Sequence, residues 1–203
     1  MAFYPVFFEL ENVPVLIAGG GAIALHKAEL LLSYGADITV VAPEISGELR
    51  SLPVKLIERK ITHEDTKGAA LVIDASGSEE CADILREYCG KNHIPYNCAW
   101  KGEYATAIFP AILKKGRTVV AVSTTGASPA ACARLRDSLS EYIPDEMDSI
   151  LERMEELRRT AKESIPEQKV RSAFLHECLE RMMKDRRVLG EAEEKKILQS
   201  FEK

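Results

Sequence analysis

The chain lacks any Cys-x-x-Cys pair, and its cysteines are odd in number: Cys81, Cys89, Cys98, Cys132 and Cys178. That argues against a disulfide framework or a zinc ribbon and leaves free thiols in a reducing compartment. His176-Glu177-Cys178 sets three donors side by side, but neighbours on a helix point apart and do not converge on one metal; no metal ligand set is expected. No apolar run approaches the roughly 20 residues of a membrane span. There is no excess of positive charge either. The net charge is −5, which gives no bulk attraction to nucleic acid or to an anionic membrane. The start, Met1-Ala2-Phe3-Tyr4-Pro5, lacks the basic opening of a signal peptide, so a cytoplasmic protein is expected. Internal repeats and low-complexity tracts are also missing.

What is present is an ordinary globular balance, with 46% hydrophobic and 29% charged residues over 203 positions, enough for one good-sized domain and an appendage. Over 1–112, strand and helix patterns alternate. Val13–Ala18, Ile38–Ala42, Val54–Ile57, Ala70–Asp74 and Ile94–Asn97 read as strands, and Ala22–Tyr34 and Ser78–Cys89 as helices, with a short helix within Glu44–Leu52. That order predicts βαβ units and a parallel sheet. Two further apolar runs, Ala105–Phe109 and Thr118–Ser123, joined through Lys114-Lys115-Gly116-Arg117, predict a hairpin. A helix follows from Pro129, with Ser128 as its N-cap. Beyond 145 the composition shifts: nearly half of the charged residues fall there, and no glycine appears before Gly190. Met147, Ile150, Leu151, Met154 and Leu157 form one helical stripe, and Val170, Phe174, Leu175, Cys178, Leu179 and Met182 another, with Pro166 starting the second helix. The expected fold is α/β: a Rossmann parallel sheet (1–112), a small α+β region (113–144) and an all-helical C-terminal tail (145–203).

Gly19-Gly20-Gly21-Ala22-Ile23-Ala24 lies between the first strand and the first helix. Gly19 permits a tight turn, Gly21 lets the backbone approach a pyrophosphate, and Ala24 is small enough for helix to pack on strand. The helix N-terminus offers N–H groups to phosphate. The candidate dinucleotide contacts are Gly19, Gly21, Ala22 and Ile23, then Ala42, Pro43 and Glu44 beyond the second strand. Glu44 either reaches a ribose hydroxyl or is a solvated loop residue. No arginine follows directly to meet a 2′-phosphate, which favours NAD over NADP. His26, in the first turn of the helix, is either a phosphate contact or an exposed residue.

Several stretches together resemble the N-terminal module of siroheme synthases, the precorrin-2 dehydrogenase/sirohydrochlorin ferrochelatase family. They are Phe7–Asn12, Gly19–Gly21, His26-Lys27-Ala28, Leu30–Leu32, Gly35-Ala36, Thr39–Pro43, Asn97, Phe109-Pro110 and Val120–Pro129, with Arg134 and Arg136 following. The Ser123-Thr124-Thr125-Gly126-Ala127-Ser128-Pro129 block is the specific part. The resemblance covers about residues 3–143. It implies oxidation of precorrin-2 to sirohydrochlorin with NAD, and for some members insertion of iron. It also implies a homodimer joined through the region 113–144. It places Ser76 and Gly77 against the cofactor, Ser123, Thr124, Gly126 and Ser128 against substrate, and Asn97 and Thr124 among the catalytic candidates.

Two departures stand out. Where the family often has an aspartate, three residues past Asn97, this chain has Trp100, which neither takes a proton nor binds a cation. The turn after the fourth strand is altered to Ala75-Ser76-Gly77-Ser78. Dehydrogenation tolerates the first change if water or a substrate carboxylate takes the proton. Iron insertion needs a carboxylate or imidazole, for which Glu103 is either a substitute or a solvated loop residue. The expectation is therefore a dehydrogenase without chelation. The alternatives are a bifunctional dehydrogenase/ferrochelatase and a catalytically silent NAD- or tetrapyrrole-binding protein. Lys114, Lys115, Arg117, Arg134 and Arg136 can form a cationic rim for an acidic tetrapyrrole. Trp100 can stack on a macrocycle, plug a core or meet a dimer partner.

Overall fold

A computed structural model describes residues 3–201. Met1-Ala2, part of the expected first domain and of the leader reading, and Glu202-Lys203 of the expected tail lie outside the described residues. The chain divides between Phe109 and Pro110 into two compact units.

The first unit is a five-stranded parallel sheet. Its strands are β1 (Pro14–Ala18), β2 (Asp37–Ala42), β3 (Lys55–Glu58), β4 (Leu71–Asp74) and β5 (Tyr96–Cys98), in the order β3-β2-β1-β4-β5. Helix α1 (Ala22–Leu32) covers one face. There Val15, Ile17, Ile38, Val40 and Ile73 pack with Ala24, Ala28 and Leu31. Helix α3 (Glu79–Asn92) covers the other, where Leu16, Val41, Val72 and Tyr96 meet Cys81, Leu85 and Cys89. This is why β1, and β4 up to Asp74, read as apolar runs: both faces of a parallel sheet are buried. Helix α2 is a single turn (Gly47–Arg50) after β2. Ser78 caps α3 through Cys81 N–H at 3.4 Å. Gly35, at φ +77°, turns the chain from α1 into β2.

The expected strand at Ala105–Phe109 does not form. The N–H groups of Thr106 and Ala107 both donate to the carbonyl of Tyr96, at 2.8 and 2.9 Å, and Pro110 has no N–H to continue a ladder. That apolar run instead backs the end of β5. The hairpin lies a few residues later, as β6 (Ala111–Lys115) and β7 (Thr118–Val122).

The second unit begins with that hairpin and α4 (Pro129–Tyr142), capped by Ser128 as expected, with Ala131 N–H donating to Ser128 Oγ at 3.2 Å. No residue of β6, β7 or α4 is fully buried. The expected α+β region and the helical tail both belong to this unit. Helices α5 (Met147–Ser164), α6 (Gln168–Asp185) and α7 (Glu191–Gln199) enclose a separate core of Ile150, Leu157, Ala161, Phe174, Cys178, Met182 and Ile197. Helix α6 starts two residues after Pro166. Arg153 joins α5 to α7 by two parallel bonds to Glu194, at 2.8 and 2.6 Å.

Candidate dinucleotide site

The strand order reverses between β1 and β4, and in open α/β sheets ligands bind outside the carboxyl ends of the strands at that point. Four loops leave those ends, and main-chain bonds join them. Gly19 N–H donates to Val41 O (3.0 Å), Ser46 to Gly20 O (2.9 Å), Ala75 to Ala18 O (2.7 Å) and Ala99 to Asp74 O (2.9 Å).

The three glycines do different things. Gly19 sits at φ +120°, and a Cβ there would lie 2.5 Å from the Ala75 carbonyl oxygen. A Cβ on Gly20 would overlap the Glu44 carbonyl, a requirement that no sequence argument had assigned to it. Gly21 has nothing within 4 Å of its would-be Cβ. Gly21 is also the N-cap of α1. It offers no side-chain cap, and the first turn holds no acidic residue. No side chain caps the turn's N–H groups, an arrangement that fits a bound pyrophosphate. Ala22 and Ile23 are exposed beside it, Ile23 by 49%. His26 is exposed. Lys27 lies 3.9 Å above the Phe109 ring, and burial lowers its pKa.

Beyond β2, Ala42 is buried, whereas Pro43 and Glu44 are exposed. Arg50 of α2 is held by Glu58 through two bonds of 2.6 Å and donates to Ile45 O at 3.3 Å. Its guanidinium is therefore already engaged.

At the end of β4 the structure brings out a residue that periodicity marks only as the last position of a strand. Asp74 is completely buried. One carboxyl oxygen accepts from Ser76 N–H (2.9 Å) and Ser76 Oγ (2.6 Å). The other accepts from Tyr96 Oη (3.1 Å) and from the indole Nε1 of Trp100 (3.2 Å). The thiols of Cys81 and Cys98 lie 3.8 Å from the two oxygens. Burial, reinforced by the negative charge of Asp74, raises the pKa of Tyr96, and burial pushes the Cys81 thiol up to about 12. The signal in the sequence was an acidic residue closing an apolar strand: such a group is tolerated in a core only with donors around it.

Asn97 faces away from this cluster. Its Nδ2 donates to Ala107 O at 2.9 Å, and its Oδ1 is buried without a partner. Ser76 and Gly77 are exposed at the rim. Lys101 bonds Glu79 (2.9 Å) and Tyr104 (2.7 Å), and these bonds raise its pKa. Glu103 is exposed.

The remaining candidates lie in the second unit. Thr124 Oγ1 accepts from Ser128 N–H (3.0 Å) and donates to Ser128 O (3.2 Å), and it also lies 3.3 Å from Cys132 Sγ. Ser123 Oγ accepts from Thr125 N–H at 3.1 Å. Thr125 and Gly126 both adopt positive φ, and Gly126 is exposed. Of the five basic residues read as a rim, Lys115 is bound to Asp145, Arg117 to Glu155 and Arg136 to Asp137. Among the described residues no group of three or more His, Cys, Asp or Glu is placed to hold a metal ion.

Comparison with known proteins agrees with this geometry. The chain is 30% identical over 198 residues to a siroheme synthase of Methylococcus capsulatus, covering 96% of this chain and 42% of that one. It is 32% identical over 204 residues to a siroheme synthase of Pseudomonas aeruginosa PAO1, covering 98% and 44%. The chain thus spans less than half the length of these relatives. Among solved structures it matches "SirC, precorrin-2 dehydrogenase" with a TM-score of 0.71 and 26% identity, over 98% of this chain and 99% of that one. The family model described as "Putative NAD(P)-binding" matches residues 6–111. That match covers just over half of the chain and takes in the glycine turn, the exposed end of β2 and the Asp74 cluster; the protein belongs to this NAD(P)-binding family.

Proposed function

We propose that this chain is an NAD-dependent precorrin-2 dehydrogenase that forms sirohydrochlorin, acts as a homodimer and does not insert iron. The observation that carries the reading is the end-to-end likeness to SirC, a precorrin-2 dehydrogenase. The siroheme synthases that align with nearly the whole chain support it, as does an open phosphate turn at the switch point.

The dinucleotide supplies the hydride acceptor. The chain's part is to hold it and to orient the tetrapyrrole. Gly19 and Gly21, with the N–H groups at Ala22 and Ile23, hold the pyrophosphate. Ala42, Pro43 and Glu44 lie along the ribose, and the engaged state of Arg50 favours NAD over NADP. Ser76 and Gly77 line the opposite rim. The orphaned Oδ1 of Asn97 is suited to accept an amide N–H. Trp100 has its one N–H on Asp74 and has no acceptor. The proton released on oxidation therefore passes to water or to a substrate carboxylate, and no side chain at this position serves iron insertion.

In the second unit, 113–144 is the dimerisation region, and 145–203 is a helical domain of its own. Ser123, Gly126 and Ser128 line the loop that meets the acidic substrate; the Ser123 and Ser128 oxygens accept from Thr125 and Ala131 N–H and keep their hydroxyl protons to donate. Thr124, whose hydroxyl is engaged within the loop, shapes it. The dimer is supported by a hairpin and helix with no buried residue, on which Leu135, Leu139 and Tyr142 are exposed by 50, 38 and 78%. An isolated two-stranded hairpin is marginal in water. The net charge of −5 favours neither nucleic acid nor anionic membrane as a partner. No described helix is long and apolar enough to cross a membrane. The reading places the protein in the cytoplasm.

The test is to mix purified protein with precorrin-2 and NAD and to follow NADH and the sirohydrochlorin chromophore together. Both are expected to rise in step. NAD binding without turnover would replace this reading with a silent binder. Metal insertion above the spontaneous rate would restore the chelatase.

A further inference from the structure

Asp74 joins two things that the chain separates. Its Oδ1 holds the turn at Ser76 by a backbone and a hydroxyl donor, and its Oδ2 holds the Trp100 ring by the indole N–H. Tyr96 Oη completes the second set. Ser76 Oγ in turn accepts from Ser78 N–H at 3.1 Å, so the whole turn into α3 depends on that first oxygen. The carboxyl group is rigid and planar, so a shift of one set of donors moves the other. A carboxyl group with no exposed surface is a costly choice for a core position if stability were its only task, because an apolar residue of similar size avoids the desolvation altogether.

We propose that Asp74 is a positioning residue for the reaction: one carboxyl group orients the Trp100 ring and ties that orientation to the Ser76 turn. This rests on the reading of the Ser76-Gly77 rim as a cofactor contact. The indole then presents only its apolar ring, fixed in angle, beside the cofactor. It is a flat steric guide for the planar substrate and takes no proton. Position 100, where the resemblance expects a carboxyl group, here holds the ring, and the carboxyl group it meets is Asp74, buried at the end of β4.

Trp100 is the chain's one tryptophan, so its fluorescence reports this ring alone. In the ligand-free full-length protein, acrylamide quenching of Trp100 is compared between wild type and Asp74→Leu, a side chain of similar size with no acceptor for the indole N–H. The quenching constant is expected to rise about twofold or more, because a released ring samples more solvent. In a second arm, NADH is titrated and energy transfer from Trp100 to the bound nicotinamide is read at saturation, in wild type and in Ser76→Ala. Ser76→Ala removes one bond to Oδ1 and leaves those to Oδ2. Transfer efficiency at saturation is expected to change, with Kd read from the same titration.

A folded Asp74→Leu protein with an equally shielded indole would overturn the hold on Trp100. If that variant does not fold, the Ser76→Ala arm decides: unchanged transfer at saturation would overturn the coupling. A wild-type protein that takes up no NADH would refute the cofactor reading and the coupling with it, while the quenching arm still decides whether Asp74 orients the ring.

Discussion

At Gly20 a methyl group would run into the Glu44 carbonyl, whereas at Gly21, one residue on, it would meet nothing within 4 Å. The two alanine variants should therefore fail differently. Gly20→Ala is expected to cost on the order of 2–4 kcal/mol, since backbone has to move to admit it. Gly21→Ala, at φ −98°, is expected to fold with near wild-type stability and to bind NADH about tenfold more weakly, about 1.4 kcal/mol. Urea denaturation and NADH titration of the two proteins separate these outcomes. The thiols give a second contrast. Cys132 is half-buried, and the other four are buried. With a colorimetric thiol reagent near neutrality, Cys132 should react first and the rest only as the protein unfolds; a Cys132→Ser variant losing the fast phase would confirm the assignment. Gly19 was legible because a tight turn follows from backbone geometry, whereas the demand at Gly20 comes from the Glu44 carbonyl of a neighbouring loop and was not. Asp74 was not, because a strand pattern says that a residue is buried and is silent about which donors surround it. Asn97 was reached through family resemblance, and its unpartnered oxygen became visible only in three dimensions.

Elements were legible where periodicity was long. The alternation that predicted a parallel sheet and the apolar stripes of α5 and α6 are in the structure. Short apolar runs were harder. Ala105–Phe109 is the more apolar of the two runs, yet the strand forms at Ala111–Lys115, which carries two lysines; what decides is a long-range bond pattern to Tyr96 together with Pro110. Helix α7, nine residues long and mostly charged, has too short a stripe to announce itself. It is fixed by Ile197 in the core and by Glu194, whose side chain is only 8% exposed and fully paired with Arg153. Arg153→Met should leave that carboxylate buried and unpartnered, at a cost of about 3 kcal/mol, read as a lowered urea midpoint. Glu194→Gln is expected to be milder, since a neutral amide is less costly to bury. At the start of α4, Ser128→Ala removes the N-cap bond to Ala131 and should cost about 1 kcal/mol.

For the molecule as a whole, the buried thiols set an alkaline limit. Burial raises Cys81 from 9.0 to about 12 and Cys89 and Cys178 to about 11. The folded protein therefore keeps these protons at pH values where the unfolded chain has lost them. The stability linked to them is complete below about pH 9 and declines as pH rises through 11 to 12. A melting temperature that falls steeply above pH 9, and less steeply in Cys81→Ala, is the expected result. Sedimentation at working concentration should give twice the chain mass, and Leu135→Glu with Tyr142→Glu should return it to the monomer value.

The loops at the carboxyl edge of the sheet are fastened to one another by amide and carbonyl groups, from Gly19 to Val41, Gly20 to Ser46, Ala18 to Ala75 and Asp74 to Ala99. Such a frame is indifferent to what stands on it. An exposed rim residue such as Glu44 or Glu103 can be exchanged without displacing the crevice, whereas Ser76 and Asn97 bond main chain themselves and are part of the frame. The architecture keeps the seat, and evolution is free to change the tools laid around it.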